Sequence, residues 1–188
     1  MKKNAKKKVI DSYRLIVDDV VTDIKIISDP DEFVPIYHMS FPVLKPATEA
    51  VLDYVREKLI SEMDLRPAEI LSPEEMRKTK EKFMKRSLEI LKKELPGMKE
   101  EEYKTLVGIL VHQSLGLGVI EILLQDRNLE EIVVNSSKEP IWVYHRKHGW
   151  LKTNIVLPSE ARIRHYSTMI GRDVGKEITL LNPLMDAN

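Results

Sequence analysis

Between Pro46 and Leu115 the apolar residues return every three or four positions, whereas on both sides of that stretch they fall into short β-branched and aromatic runs. A chain whose period changes twice in this way is built from both kinds of element, and the expected class is α+β. The runs Tyr13–Val17 (YRLIV), Val20–Ile27 (VVTDIKII) and Val34–Met39 (VPIYHM) read as extended, with a turn at Ser28–Glu32 (SDPDE). Pro35 and Pro42 have no amide hydrogen to give to a ladder, so the third run is expected at a sheet edge or partly irregular.

Pro46 opens a helix whose inward residues are Val51, Leu52, Val55, Leu59 and Met63. Ser72 and Glu75 have the spacing of a capping box. The helix after them carries Met76, Phe83, Leu88, Leu91 and Leu95 on one face, with Lys, Arg and Glu on the other, and Pro96-Gly97 stops it. Glu101–Leu115 is a third helix, with Tyr103, Leu106, Val107, Leu110, Val111 and Leu115 inward; Gly116-Leu117-Gly118 breaks it, and Ile120–Gln125 is a short fourth. Strands follow at Leu129–Asn135, Pro140–His145 and Trp150–Leu157, the last two joined by a turn at Arg146–Gly149. Ser159 caps a helix with Ile163, Tyr166 and Ile170 on one side, and Lys176–Leu181 is a final strand. The expected organisation is a basic disordered tail over 1–12, a helix-rich subdomain with short strands over 13–97, and an α+β subdomain with a small antiparallel sheet over 98–188. Proteolysis is expected to separate the last two at Pro96-Gly97.

Composition removes several kinds of chemistry. There is no cysteine, so thiolate nucleophiles, disulfides and cysteine metal sites are excluded. Lys+Arg and Asp+Glu balance at 30 each, which lacks the basic excess of a dedicated nucleic-acid binder. The lysines at 2, 3, 6, 7 and 8 lead into no apolar signal-type segment, and no uninterrupted apolar run approaches membrane-spanning length. The chain reads as soluble and cytoplasmic, with a solvated lysine tail capable of weak contact with anionic lipid. Gly171–Glu177 (GRDVGKE) resembles a phosphate loop superficially, but its glycines are one residue too close and Glu177 replaces the hydroxyl residue. Gly116 and Gly118 have Glu121 where a dinucleotide fingerprint needs a third glycine. His145 and His148 flank a turn while His38, His112 and His165 are scattered, and no carboxylate stands at a metal-ligand spacing from them; no metal site and no catalytic residue is assigned. Arg146, Lys147 and His148 beside Trp142, Tyr144 and Trp150 offer the makings of a stacking surface for nucleic acid, but packing of a hairpin explains them better.

A resemblance carries the reading further. Leu115–Asp126 (LGLGVIEILLQD), Leu129–Asn135 (LEEIVVN) and Pro140–Asn154 (PIWVYHRKHGWLKTN) resemble the domain that precedes the ATPase core of type II/type IV secretion ATPases, archaeal members above all, which include archaellum and pilus-assembly motors. Ile178–Ala187 (ITLLNPLMDA) is similar to the segment leading into that core. The resemblance implies a homohexameric ring, a RecA-like core downstream of Asn188 that binds ATP and magnesium, and a polytopic membrane protein against which the ring works at the inner face of the membrane. It implies that the 98–188 subdomain packs on that core, that Asn182, Pro183 and Asp186 lie near the nucleotide cleft, and that Leu180, Leu181, Leu184 and Met185 face the core. The chain itself is then a non-catalytic part concerned with subunit packing, nucleotide-driven domain motion and docking, needing no cofactor of its own. The alternatives are a stand-alone protein-interaction module and a nucleic-acid-binding domain.

Overall fold

The computed structural model describes residues 6–63 and 73–173. Strands β1 (Lys8–Val17), β2 (Val20–Ser28) and β3 (Ile36–Ser40) come first, then helices α1 (Pro46–Glu62), α2 (Pro73–Glu94), α3 (Glu100–Ser114) and α4 (Val119–Leu124). Strands β4 (Leu129–Val133), β5 (Pro140–His145) and β6 (Gly149–Val156) and helix α5 (Glu160–Asp173) complete the described chain, an α+β arrangement as its periodicity requires. Ser72, the final strand at 176–181 and the candidates Leu180, Leu181, Asn182, Pro183, Leu184, Met185 and Asp186 lie outside the described residues.

All six strands form one sheet in the order β1-β2-β3-β6-β5-β4. It is larger than the small antiparallel sheet expected, and it contains one parallel pair, β3 with β6. β3 is therefore central, not an edge strand. The edge placement fails because neither proline lies inside it: Pro35 precedes the first residue and Pro42 stands two past the last, so no ladder amide is missing, although the pairing with β6 is short and irregular. The Pro35 carbonyl accepts the Lys152 amide at 3.2 Å. The Asn154 side chain prolongs this short pairing, accepting the Met39 N–H at 2.8 Å and donating to its carbonyl at 3.0 Å. β1 begins at Lys8, so residues 8–12 are strand and not tail, and Lys7 pairs with Asp29 at 2.9 Å.

The chain groups into two compact units. One is the sheet unit, made of the residues up to Val17, Val21–Pro42 and Ile122–Ile163. Alternation puts Ile24 and Ile26 of β2, Tyr37 and Met39 of β3, Ile141 and Val143 of β5, and Leu151 and Ile155 of β6 out of solvent, with Ile24 opposite Met39 and Ile26 opposite Tyr37. The other is the helical unit, made of Asp18–Val20, Val43–Glu121 and the residues from Arg164 onward. Its core is Leu52, Val55 and Leu59 of α1, Phe83, Ile90 and Leu91 of α2, and Leu106, Val107 and Leu110 of α3. Pro96-Gly97 is the turn between α2 and α3 and lies inside this unit, while the sheet draws strands from both sides of it. No helix among the described residues is long and apolar enough to cross a membrane.

Candidate functional site

Two polar clusters stand out, one in each unit. In the helical unit the tip of the β1–β2 hairpin is a two-residue turn, Asp18-Asp19, with φ of 47° and 61°. Two successive left-handed residues match the right-handed twist of the strands, and aspartate tolerates the region better than most side chains. The turn lies against α3 where a side chain is missing: a Cβ on Gly108 would fall 2.0 Å from the Asp18 carbonyl oxygen. Thr105 donates to the Asp19 carbonyl at 3.0 Å. This seating brings the Asp18 carboxylate to Lys80 of α2, with Nζ 2.8 Å from Oδ2, and to His112 of α3, with Nε2 3.7 Å from Oδ2.

Glu121 closes the cluster from the first turn of α4, where a carboxylate suits the positive end of the helix. Its Oε2 is 3.5 Å from His112 Nδ1 and its Oε1 3.9 Å from Lys80 Nζ. Gly116 makes room for it, since a Cβ there would fall 2.3 Å from Oε2. Gly118 turns the chain with φ of 58°. His112, beside Glu121, holds its carboxyl below the ordinary carboxylate range against the opposing effect of burial, and Lys80 adds to the same effect. His112 is buried at 7% exposure, whereas Asp18 and Glu121 each keep 23% and Lys80 31%. Asp18, His112 and Glu121 can each offer a ligand atom within 4.8 Å of the other two, which makes them candidate ligands for one metal ion. None of this is visible in the sequence, where His112 is one of the scattered histidines, Glu121 is a misfit in a glycine pattern, and Asp18 and Lys80 stand far from both.

In the sheet unit the Asp126 carboxylate is buried and accepts four hydrogen bonds. Tyr13 and Tyr37 donate their hydroxyls to Oδ2, the latter at 2.7 Å, and Asn128 donates its backbone N–H at 2.9 Å and its side-chain amide at 3.0 Å to Oδ1. Burial and the neighbouring carboxylate push both phenols above their ordinary range. A carboxylate so fully satisfied is a structural anchor, with its lone pairs already used.

The hairpin turn at Arg146–His148 belongs to the same unit. Arg146 lies 3.4 Å from Glu130, and Lys147 and His148 meet Asp11 at 2.9 Å and 2.8 Å. Arg146 and Lys147 keep most of their side chains exposed beside these carboxylates. Tyr144 and Trp150 meet edge to face with ring centroids 5.4 Å apart. His145 Nδ1 accepts the Lys147 N–H at 3.1 Å, while His148 Nε2 lies 2.8 Å from Asp11 Oδ2. Gly171 lies within α5, and 174–177 of the glycine stretch lie outside the described residues.

Comparison with known proteins finds relatives of part of the chain. It is 34% identical over 83 residues to the uncharacterized protein MJ1288 of Methanocaldococcus jannaschii, 44% of this chain and 33% of that protein. It is 33% identical over 72 residues to the uncharacterized protein MJ0781 of the same organism, 37% of this chain and 10% of that protein. A third, the uncharacterized protein MJ0900, is 33% identical over 86 residues, 46% of this chain and 15% of its own length. The chain thus spans a third or less of each of these relatives. No family model matches it.

Proposed function

We propose that the chain is the amino-terminal, non-catalytic region of a secretion or pilus-assembly ATPase of the archaeal type, working in a homohexameric ring at the inner face of the membrane. The observation that carries this reading is the resemblance of Leu115–Asp126, Leu129–Asn135 and Pro140–Asn154 to the domain that precedes the core of such motors. In the fold these runs make α4, β4, β5 and most of β6, a continuous piece and not scattered matches. In this role the sheet and helical units transmit motion between a nucleotide-binding core and a polytopic membrane partner. ATP and magnesium belong to that core, and the chain supplies no phosphate-cradling loop with which to stabilise phosphoryl transfer.

The test is ATP hydrolysis and ring assembly by the full product of the gene, side by side with the 188-residue chain. The reading expects a phosphate-loop motif in the gene beyond Asn188, turnover by the full product, and none by the chain alone. A gene product without that motif, or one inert toward ATP, overturns it and leaves a protein-interaction module.

A further inference from the structure

We propose that Asp18, His112 and Glu121 form a binding site for one divalent transition-metal ion of the zinc class, and that Lys80 is the cation the ion displaces. The proposal is independent of the ATPase reading. Three different segments, a hairpin tip, the last turn of α3 and the first turn of α4, each deliver one ligand atom, all within 4.8 Å of one another. Around a tetrahedral ion bound at about 2.0–2.1 Å the ligand atoms lie roughly 3.3 Å apart. His112 Nε2 and Asp18 Oδ2, at 3.7 Å, are close to that separation already. Glu121, now 3.5 Å from Nδ1, must swing toward the same nitrogen, and it is the ligand with torsions to spare.

The ammonium of Lys80 shows where positive charge is stabilised. Its Nζ is 2.8 Å from Asp18 and 3.9 Å from Glu121, in contact with one carboxylate and near the other. One ammonium leaves two carboxylates half neutralised; a divalent ion neutralises both. Lys80 is on α2 with 31% of its side chain exposed, so its long stem can leave for water when an ion enters. One imidazole with two carboxylates favours zinc, manganese or iron over magnesium and calcium, which prefer all-oxygen shells. Three protein ligands leave a fourth position open to water or an external donor.

The test is calorimetric titration of the metal-free 188-residue chain with Zn2+, repeated with Co2+, whose visible absorption reports tetrahedral coordination. The expected result is one ion per chain, with His112→Gln and Glu121→Gln each weakening binding on the order of tenfold or more. Lys80→Met is expected to tighten it, a direction that a purely structural role for the cluster does not produce. Circular dichroism checks that each variant folds, and the isosteric Glu121→Gln carries the test should His112→Gln fail. Absence of saturable binding in both the unaltered chain and Lys80→Met overturns the proposal. So does binding that survives both ligand substitutions, or a Lys80→Met chain that binds more weakly.

Discussion

Asp126 shows what one side chain does when every acceptor site is used. Two tyrosine hydroxyls and both nitrogens of Asn128 converge on it, so removing it deprives four donors of their acceptor, the buried Tyr37 hydroxyl most severely because Asn128 is exposed. Asp126→Ala is expected to lower stability by about 3 kcal/mol or more, and Tyr37→Phe, which removes one donor and leaves the acceptor otherwise served, by about 1–2 kcal/mol, both read by urea denaturation. His145 makes a different demand. It is buried on β5, its Nδ1 already accepts a backbone N–H, and its Nε2 has no hydrogen-bond partner among the described residues. Burial first, then the His148 beside it, lower its pKa from 6.5, against the opposing pull of Asp126 and Asp11. In the unfolded chain the same histidine takes up a proton near 6.5, so the folded state binds fewer protons just below that pH. Its contribution is intact above 6.5 and is lost as pH falls below it. His145→Gln should therefore flatten the decline of Tm between about pH 7 and pH 5 relative to the unaltered chain. An identical decline in the two proteins would refute the assignment.

At the scale of elements, a glycine inside a helix decides whether the hairpin tip can sit where it does. Alanine favours helix over glycine by about 1 kcal/mol. At position 108 that preference is overruled, because the new methyl meets the Asp18 carbonyl oxygen at 2.0 Å and the Val20 side chain at 2.8 Å. Backbone cannot yield as a side-chain tip can, so Gly108→Ala is expected to destabilise by about 1–3 kcal/mol, measured as a fall in the denaturation midpoint. A neutral or stabilising result would mean that the tip does not rest on α3. Most elements were legible in the sequence for local reasons. Pro46 at the first turn of α1, the Ser159 hydroxyl accepting the Arg162 N–H at 3.2 Å, and Gly149 with φ of 68° are signals written within a few residues of what they control. The candidate site was not legible, because its ligands come from positions 18, 112 and 121 and the lysine from 80. Their meeting depends on a left-handed turn made of two aspartates, with none of the glycine or asparagine that marks such turns, and on a gap at Gly108 whose purpose only the partner segment reveals. The place of β3 was missed for a related reason: prolines were read as a property of the strand when they are its boundaries.

For the molecule as a whole, the sheet ignores the division that the chain's punctuation suggests. β1, β2 and β3 precede Pro96-Gly97 and β4, β5 and β6 follow it, yet the six make one sheet. Fragments 1–97 and 98–188 are each left with an open edge where β3 and β6 should meet. Neither is expected to show cooperative thermal unfolding by circular dichroism alone, and mixing the two should restore it. Independent folding of 98–188 would instead favour a carboxyl-terminal subdomain of its own.

The pairing of β3 with β6 also sets an order of events during synthesis. Met39 and the Asn154 that grips its backbone are 115 positions apart. At about 5–20 residues per second, the ribosome needs roughly 6 to 23 s to deliver the second after the first. Throughout that interval β3 has a bare edge open to solvent. The segment made meanwhile includes α1 to α3, whose mutual contacts are nearer in sequence and so form faster. The helices can therefore be folded before the sheet closes, and the last strands arrive to complete a surface that has been waiting for them.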